Sequence, residues 1–326
     1  MDCRIIATTL NELKKYRKDV DLNFKWSSPF VLPEWLDAWW RVFGSDFKPY
    51  VRTIFQGDEP IGVAPLMTKN GKAYFMGSTD VCDYQDFIIS TGKEKDFFTA
   101  LLDDLKQNSI KQLDLKHVRP DSSVMKTLLP LIENRKFKII SEQEAVSFEM
   151  DLPSSFEEYL NLLTSKQRHE VRRKMRRLSE EGNIVYRTID KGEKLTPALE
   201  TFFKMFVESR QDKAEFMTEE MKVYFQQLTV AMADIGLLKL GELELDDKPI
   251  AEIMCFDYND CIFLYNSGYD PQYVSLSAGL LSKVYAIKDG IEKGKKKFDF
   301  LKGAETYKGH LGGKEVPLYR CRIDIV

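Results

Sequence analysis

What most constrains the fold is a pattern that occurs twice along the chain. Tyr50–Gln56 (YVRTIFQ) reads as a strand, Gly57-Asp58-Glu59-Pro60 as a turn and Ile61–Lys69 as a second strand. Asn70-Gly71 is a tight-hairpin signal that leads to a third strand near Ala73–Gly77. In the second half, Leu237–Leu245, the turn Asp246-Asp247-Lys248-Pro249, Ile250–Asp257, the turn Asn259-Asp260 and Cys261–Asn266 follow the same order. DEPIG (Asp58–Gly62) and DKPIA (Asp247–Ala251) occupy matching places. Each meander is followed by a loop, a helix (about 94–107; about 277–293) and a further strand (112–115; 298–301). Two such copies predict an α+β chain of two similar domains; one large α+β domain is the alternative. A length of 326 residues suits two domains. The boundary is expected near Glu144–Pro153, after a strand at Phe137–Ile140, giving domains 1–144 and 145–326.

Cys261–Gly312 carries the densest chemistry. The apolar strand CIFLYN ends in Asn-Ser-Gly, and Ser277 then precedes the periodic run Leu280, Leu281, Val284, Ile287 and Ile291. This predicts a helix with a serine N-cap, ending near Gly294. A helix start between two strands offers amides to an anion, which points to Ser277, Ala278, Gly279 and Leu280. An ordinary serine-capped core helix fits the same residues. After the strand KFDFL, the polar segment around Tyr307 and Lys308 is expected to be a loop bringing a mobile cation to the same sheet edge.

Ser155 with Glu158 and Thr164 with Gln167 are predicted capping boxes, the second opening a helix over Ser165–Glu181. Val171, Met175 and Leu178 form its apolar stripe. Arg168, Arg172 and Arg176 share an adjacent face, where guanidinium forks suit phosphate oxygens. A solvated basic face is the plainer reading. Trp35, Trp39 and Trp40 lie at helical spacing beside Leu32, Leu36 and Phe43, and are read as core.

A formal charge of −3 argues against a polycationic nucleic-acid coat. Five scattered cysteines without a CxxC pair read as reduced, mostly buried thiols. The opening MDCRIIATTLNELKKYRK lacks a signal peptide's apolar core, and no apolar run is long enough for a membrane span, so a cytoplasmic protein is expected. His117, His169 and His310 form no metal spacing, and no metal is expected.

The pieces SGYDPQY, SAGLL, KKFDFLKG and ETYKGHLG, with SKQRHEVRRKMRRLSEEG, SPFVLPEWLDAWWRVFG and DYQDF upstream, resemble a GNAT-superfamily branch. That branch comprises CelD-like acetyltransferases of cellulose and exopolysaccharide synthesis, related to the Fem-type aminoacyl transferases. The resemblance implies an α+β fold (α/β three-layer) of tandem GNAT-like domains in a Fem-like arrangement, with the acyltransferase site in the second. It implies acetyl-CoA or another acyl-CoA as co-substrate, bound at Ser277, Ala278, Gly279 and Leu280, where a side chain at Gly279 is expected to obstruct the phosphates. The Q/R-x-x-G-x-G/A loop of the superfamily is reduced here to Gly279. Lys308 is implied as the cation that supports the transfer transition state, with Leu311 where the family has an aromatic; a surface lysine is the other reading. Tyr307 is read either as a proton donor to a leaving thiolate or as a packed tyrosine. Arg168 and Arg172, matching R-x-x-[IV]-R, are implied to contact an anionic substrate. Asp83, Tyr84 and Asp86 are implied to grip an amine or hydroxyl acceptor; loop capping is the other reading of the two aspartates. The leading expectation is direct acyl transfer to a small-molecule or glycan-precursor acceptor. The rivals are an aminoacyl-tRNA-dependent peptide-bond former and a non-catalytic protein that binds RNA or a partner.

Overall fold

The computed structural model describes residues 3–133 and 137–325. The chain forms two compact units, Met1–Val146 with Val316–Val326, and Ser147–Glu315. The first runs through β1 (Cys3–Ala7), α1 (Leu10–Lys18), β2 (Phe24–Lys25), α2 (Pro33–Phe43), β3 (Lys48–Gln56), β4 (Glu59–Lys69), β5 (Lys72–Phe75), β6 (Ile88–Ser90), α3 (Glu94–Gln107), β7 (Gln112–Val118) and α4 (Leu129–Glu133). β8 (Ile139–Asp151) straddles the division. The second unit continues with α5 (Phe156–Leu162), α6 (Ser165–Glu181), β9 (Ile184–Ile189), α7 (Leu195–Ser209), α8 (Gln211–Phe216), α9 (Glu219–Asp234), β10 (Leu238–Leu245), β11 (Lys248–Tyr258), β12 (Cys261–Tyr269), α10 (Ala278–Glu292), β13 (Lys297–Lys302) and α11 (Thr306–His310). β14 (Lys314–Asp324) closes the chain.

In the first unit β1, β3, β4 and β5 are antiparallel neighbours. Asn70 and Gly71 both take positive φ (53° and 71°), the turn a two-residue hairpin needs. α3 then returns the chain to β7, which runs parallel to β5. Phe97, Phe98, Leu101 and Leu105 of α3 are buried on this sheet. Trp35 and Trp39 are buried too, so the tryptophan stripe is core.

The division between the units, at Val146/Ser147, falls within one strand, β8. The last strand, assigned by the sequence reading to the second domain, pairs with β7 of the first unit from Tyr319↔Val118 to Asp324↔Gln112. A pairing across some 200 residues leaves no local trace.

The second unit repeats the pattern. β9, β10, β11 and β12 are antiparallel neighbours, and β13 runs parallel to β12 after α10. The sheet has helices on both faces. Cys255 lies in the core cluster with Leu281, Val284 and Ile287 of α10. Its neighbour Phe256 turns the other way, onto Tyr265, whose ring meets Phe225 of α9. Burial of Val171 and Leu178 seats α6 on the α10 side, and the Thr164–Gln167 capping box forms as read. Ser155 is half of its predicted box. It accepts from the Glu158 amide, but the Glu158 carboxylate turns to the amide and hydroxyl of Ser154.

Candidate acyl-transfer site

In the second unit the parallel pairing of β12 with β13 runs from Cys261↔Lys297 to Phe263↔Asp299. Along the opposite edge of β12, Cys255↔Leu264 is followed by Met254↔Asn266, so Tyr265 is an inserted residue. Such a bulge changes the phase of alternation. Leu264 faces α10, and the insertion turns Ser267 and Tyr269 to that face as well. Ser267 Oγ thereby meets Lys283 Nζ of α10 at 2.9 Å. Lys283 also donates to the Gly279 carbonyl at 2.7 Å and lies 5.2 Å from the Tyr307 ring centroid. From α8, Lys213 donates to the Ser267 carbonyl.

Burial lowers the Lys283 pKa to about 7, helped by the charge of Lys213. Lys213 falls to about 8, from burial and then the Arg210 guanidinium. Burial, then the Glu305 carboxylate, pushes the Tyr307 phenol above its ordinary range. Neither Lys213, Ser267 nor Lys283 was among the residues singled out by sequence. One signal was there for Lys283: it is a lone cation at i+3 from Leu280 and i−4 from Ile287, inside the apolar stripe of its helix.

Lys308 is 2% exposed and sits in α11, not in a loop. Its ammonium donates to the carbonyls of Leu301 (3.0 Å), Lys302 (2.6 Å) and Gly303 (3.2 Å), and pairs with Glu305 Oε2 at 3.0 Å. It is therefore a held cation, not a mobile one. The carbonyls it collects lie where β13 bulges and Leu301 adopts φ 62°, a left-handed conformation that costs a branched residue about 1–3 kcal/mol. Gly303, at φ 121°, leaves room for the Glu305 carboxylate.

Ser277 occupies the N-cap position of α10 but does not act as a side-chain cap. It takes φ 60°, and its hydroxyl bonds none of the helix amides. The 3-10 helix of Pro271–Leu276 runs directly into α10, with Ser277 as the left-handed joint between them. The Ser277 carbonyl accepts from Leu280 and Leu281, which leaves the Ala278 and Gly279 amides without a backbone acceptor among the described residues. That fits an anion at the helix start. Gly279 has a second duty: a Cβ there would lie 2.6 Å from the Tyr269 ring. Substitution at Gly279 would thus disturb packing and any bound phosphate together.

Arg168 and Arg172 lie on α6, which packs on α10 and on the turn leading into it. Arg168 donates to Asn161 at 3.1 Å, and Arg172 pairs with Glu157 at the surface. Asp83, Tyr84 and Asp86 belong to the first unit and are all buried. Asp86 accepts from the Phe87 amide (2.9 Å) and from the amide and hydroxyl of Ser123 (2.8 and 2.5 Å). Burial holds its pKa up at about 6. These bonds are those of a loop tie. Tyr84 packs edge-on against Phe30 at 5.5 Å and lies under Arg119. No cluster of three metal-ligating side chains exists among the described residues, and no described helix is long and apolar enough to cross a membrane.

Comparison with known proteins accords with this arrangement. The fold is shared with FemX (TM-score 0.66, 12% identity, 98% of this chain and 96% of that one). It is shared with the C-terminal domain of a putative lysylphosphatidylglycerol synthetase from Agrobacterium fabrum (TM-score 0.60, 10% identity, 97% and 92%). A tandem GNAT protein from the clavulanic acid biosynthesis pathway aligns with TM-score 0.50 at 9% identity, over 98% of both chains. Comparison with curated proteins finds no match. The expected mixed α/β architecture of Fem-like and tandem GNAT type is thus borne out. Residues 165–309 match the acetyltransferase (GNAT) domain family, and this stretch lies wholly within the second unit.

Proposed function

We propose that the protein transfers an acyl group, acetyl first among the candidates, from a coenzyme A thioester to an amine or hydroxyl of a sugar-like or envelope-precursor acceptor. The observation that carries this is the start of α10. Its first amides are not capped by Ser277 and lie one helical turn from the Ser267–Lys283–Tyr307 group. Phosphates at those amides would set the thioester beside side chains able to move protons. The acceptor attacks the carbonyl directly, and fixed partners supply orientation rather than a covalent intermediate. Tyr307, kept protonated by burial, is suited to donate a hydrogen bond to the leaving sulfur.

The aminoacyl-tRNA donor stays as the second reading, because FemX and a putative lysylphosphatidylglycerol synthetase domain share the fold. Calorimetry with acetyl-CoA, longer acyl-CoAs and charged tRNA in parallel separates the two. Micromolar thioester binding is expected. Tight tRNA binding that falls steeply with salt, with no thioester binding, would replace the first reading by the second.

Ser277→Asp is the sharper probe of the donor end. Aspartate tolerates left-handed φ and favours a helix N-terminus, so thermal stability should hold or rise. The same charge repels a phosphate, and thioester affinity should fall at least ~10-fold. Unchanged affinity removes this helix start from the site.

Arg168→Ala with Arg172→Ala should raise the acceptor KM while leaving donor affinity nearly intact, each lost phosphate contact counting for about 1.5–3 kcal/mol. The surface partners Asn161 and Glu157 imply a stability change under about 1 kcal/mol. A matching loss of donor affinity would put α6 at the wrong end.

A further inference from the structure

We infer that Ser267 and Lys283 form the proton relay of acyl transfer: the Ser267 hydroxyl takes the proton of the attacking acceptor while passing its own to the Lys283 amine. The inference deepens the proposed function and rests on it. Three contacts carry it. Ser267 Oγ and Lys283 Nζ are 2.9 Å apart, the separation of a hydroxyl and its base. The Gly279 carbonyl, 2.7 Å from Nζ, orients the amine as a third group orients the base of a triad. Lys213 pins the Ser267 carbonyl and so fixes the strand that carries the hydroxyl. Ser267 is half-buried and lies past the last β12–β13 register pair, whereas Lys283 is 7% exposed.

The surroundings suit an amine that changes protonation near neutrality. Lys213 from α8 and Lys308 from α11 oppose a charge on Lys283, Glu305 before α11 favours it, and Tyr307 offers its ring. Cys255 of β11 is pushed up by burial and stays a neutral thiol. With the balance near pH 7, a useful fraction of Lys283 is unprotonated and can accept. As the acceptor attacks, a bond forms between its nitrogen or oxygen and the thioester carbonyl carbon. Its proton moves to Ser267 and the serine proton to Lys283. The carbon–sulfur bond then breaks with its electron pair on sulfur, and a proton from Lys283 returns through Ser267 to the thiolate. No other reactant is required. Asp86 is a poorer base, since three donors already occupy its carboxylate.

The test reads Ser267 directly and transfer separately. The folded wild-type protein is treated with p-nitrophenyl acetate from pH 6 to 9, and acetylated peptides are located by mass spectrometry. Acetylation at Ser267 is expected, rising ~10-fold per pH unit below pH 7 as the amine loses its proton. It should fall at least ~50-fold and lose this pH dependence in Lys283→Met, with Lys283→Gln as a second variant. In single-turnover transfer, Ser267→Ala and Lys283→Met should each slow the reaction ~100-fold at unchanged donor affinity. No Ser267 label in wild type at pH 8, or Ser267→Ala transferring within twofold of wild type, overturns the relay. Transfer that persists in both variants sinks the relay and leaves the proposed function standing. Labelling of Ser267 with no transfer from any donor sinks the proposed function and the relay's part in it, leaving only a serine activated by Lys283.

Discussion

Lys308→Ala is expected to lower kcat on the order of 100-fold, far more than it weakens donor binding. Acyl transfer builds negative charge on the carbonyl oxygen, and a cation fixed in a water-poor place stabilises that charge selectively. The structure adds a second consequence. The ammonium gathers the carbonyls of Leu301, Lys302 and Gly303, so its loss leaves buried acceptors unmet, each at a cost of about 1–3 kcal/mol. It also removes one of the ties on Leu301, which adopts φ 62°. The variant should therefore denature at lower urea concentration, and kinetics must be taken on protein shown to be folded. Lys308→Arg should not rescue, because a planar fork does not fit among three carbonyls set for a point charge. Glu305→Gln keeps those carbonyl bonds and should hold turnover within a few-fold, which separates loss of the cation from loss of its surface partner. Turnover of Lys308→Ala within twofold of wild type would reduce this lysine to a structural post.

Glu252→Met should stabilise the protein, and more so as pH rises. Glu252 is fully buried on β11, and neither carboxylate oxygen has a hydrogen-bond partner among the described residues. In register it faces Glu242 of β10 across the ladder. Burial, then the Glu242 charge, raises its pKa to about 9, against about 4.3 in an unfolded chain. The contribution to stability is thus whole below about pH 4 and is lost as pH climbs through about 9, because the unfolded chain releases a proton that the folded one keeps. At pH 7 removing this linkage should gain on the order of 3 kcal/mol, since each pKa unit is worth about 1.4 kcal/mol. Methionine of similar volume fills the space without a polar atom. Urea denaturation of both proteins at pH 5.5, 7 and 9 checks the point. A difference that fails to widen with pH would mean that Glu252 is not protonated in the folded state.

Local patterns carry far in this chain. The Asn70-Gly71 hairpin, α3 at Glu94–Gln107, the Thr164–Gln167 capping box and the Val171–Leu178 stripe of α6 all follow from periodicity and turn chemistry, which act over a few residues. The same reading stumbles where a residue's role depends on a distant partner. Ser277 has the right identity for an N-cap and the wrong backbone angle. For Asp86 the sequence left an acceptor grip and loop capping both open, and only the fold brings it the amide and hydroxyl of Ser123.

By itself, the sequence determined the repeated order of strands and helices, and with it the two-unit mixed architecture, because hydrophobic spacing and turn residues encode each element where it stands. It also marked the place where β12 gives way to α10. Tertiary structure alone decided which side chains meet there. One inserted residue, Tyr265, shifts the phase of β12 and turns Ser267 toward Lys283. The same packing buries Lys283, removes the water that would keep it charged, and so gives an ordinary lysine a pKa near neutrality. Facing and burial are properties of the assembled sheet and helices, and neither is written in the spacing of residues along the chain.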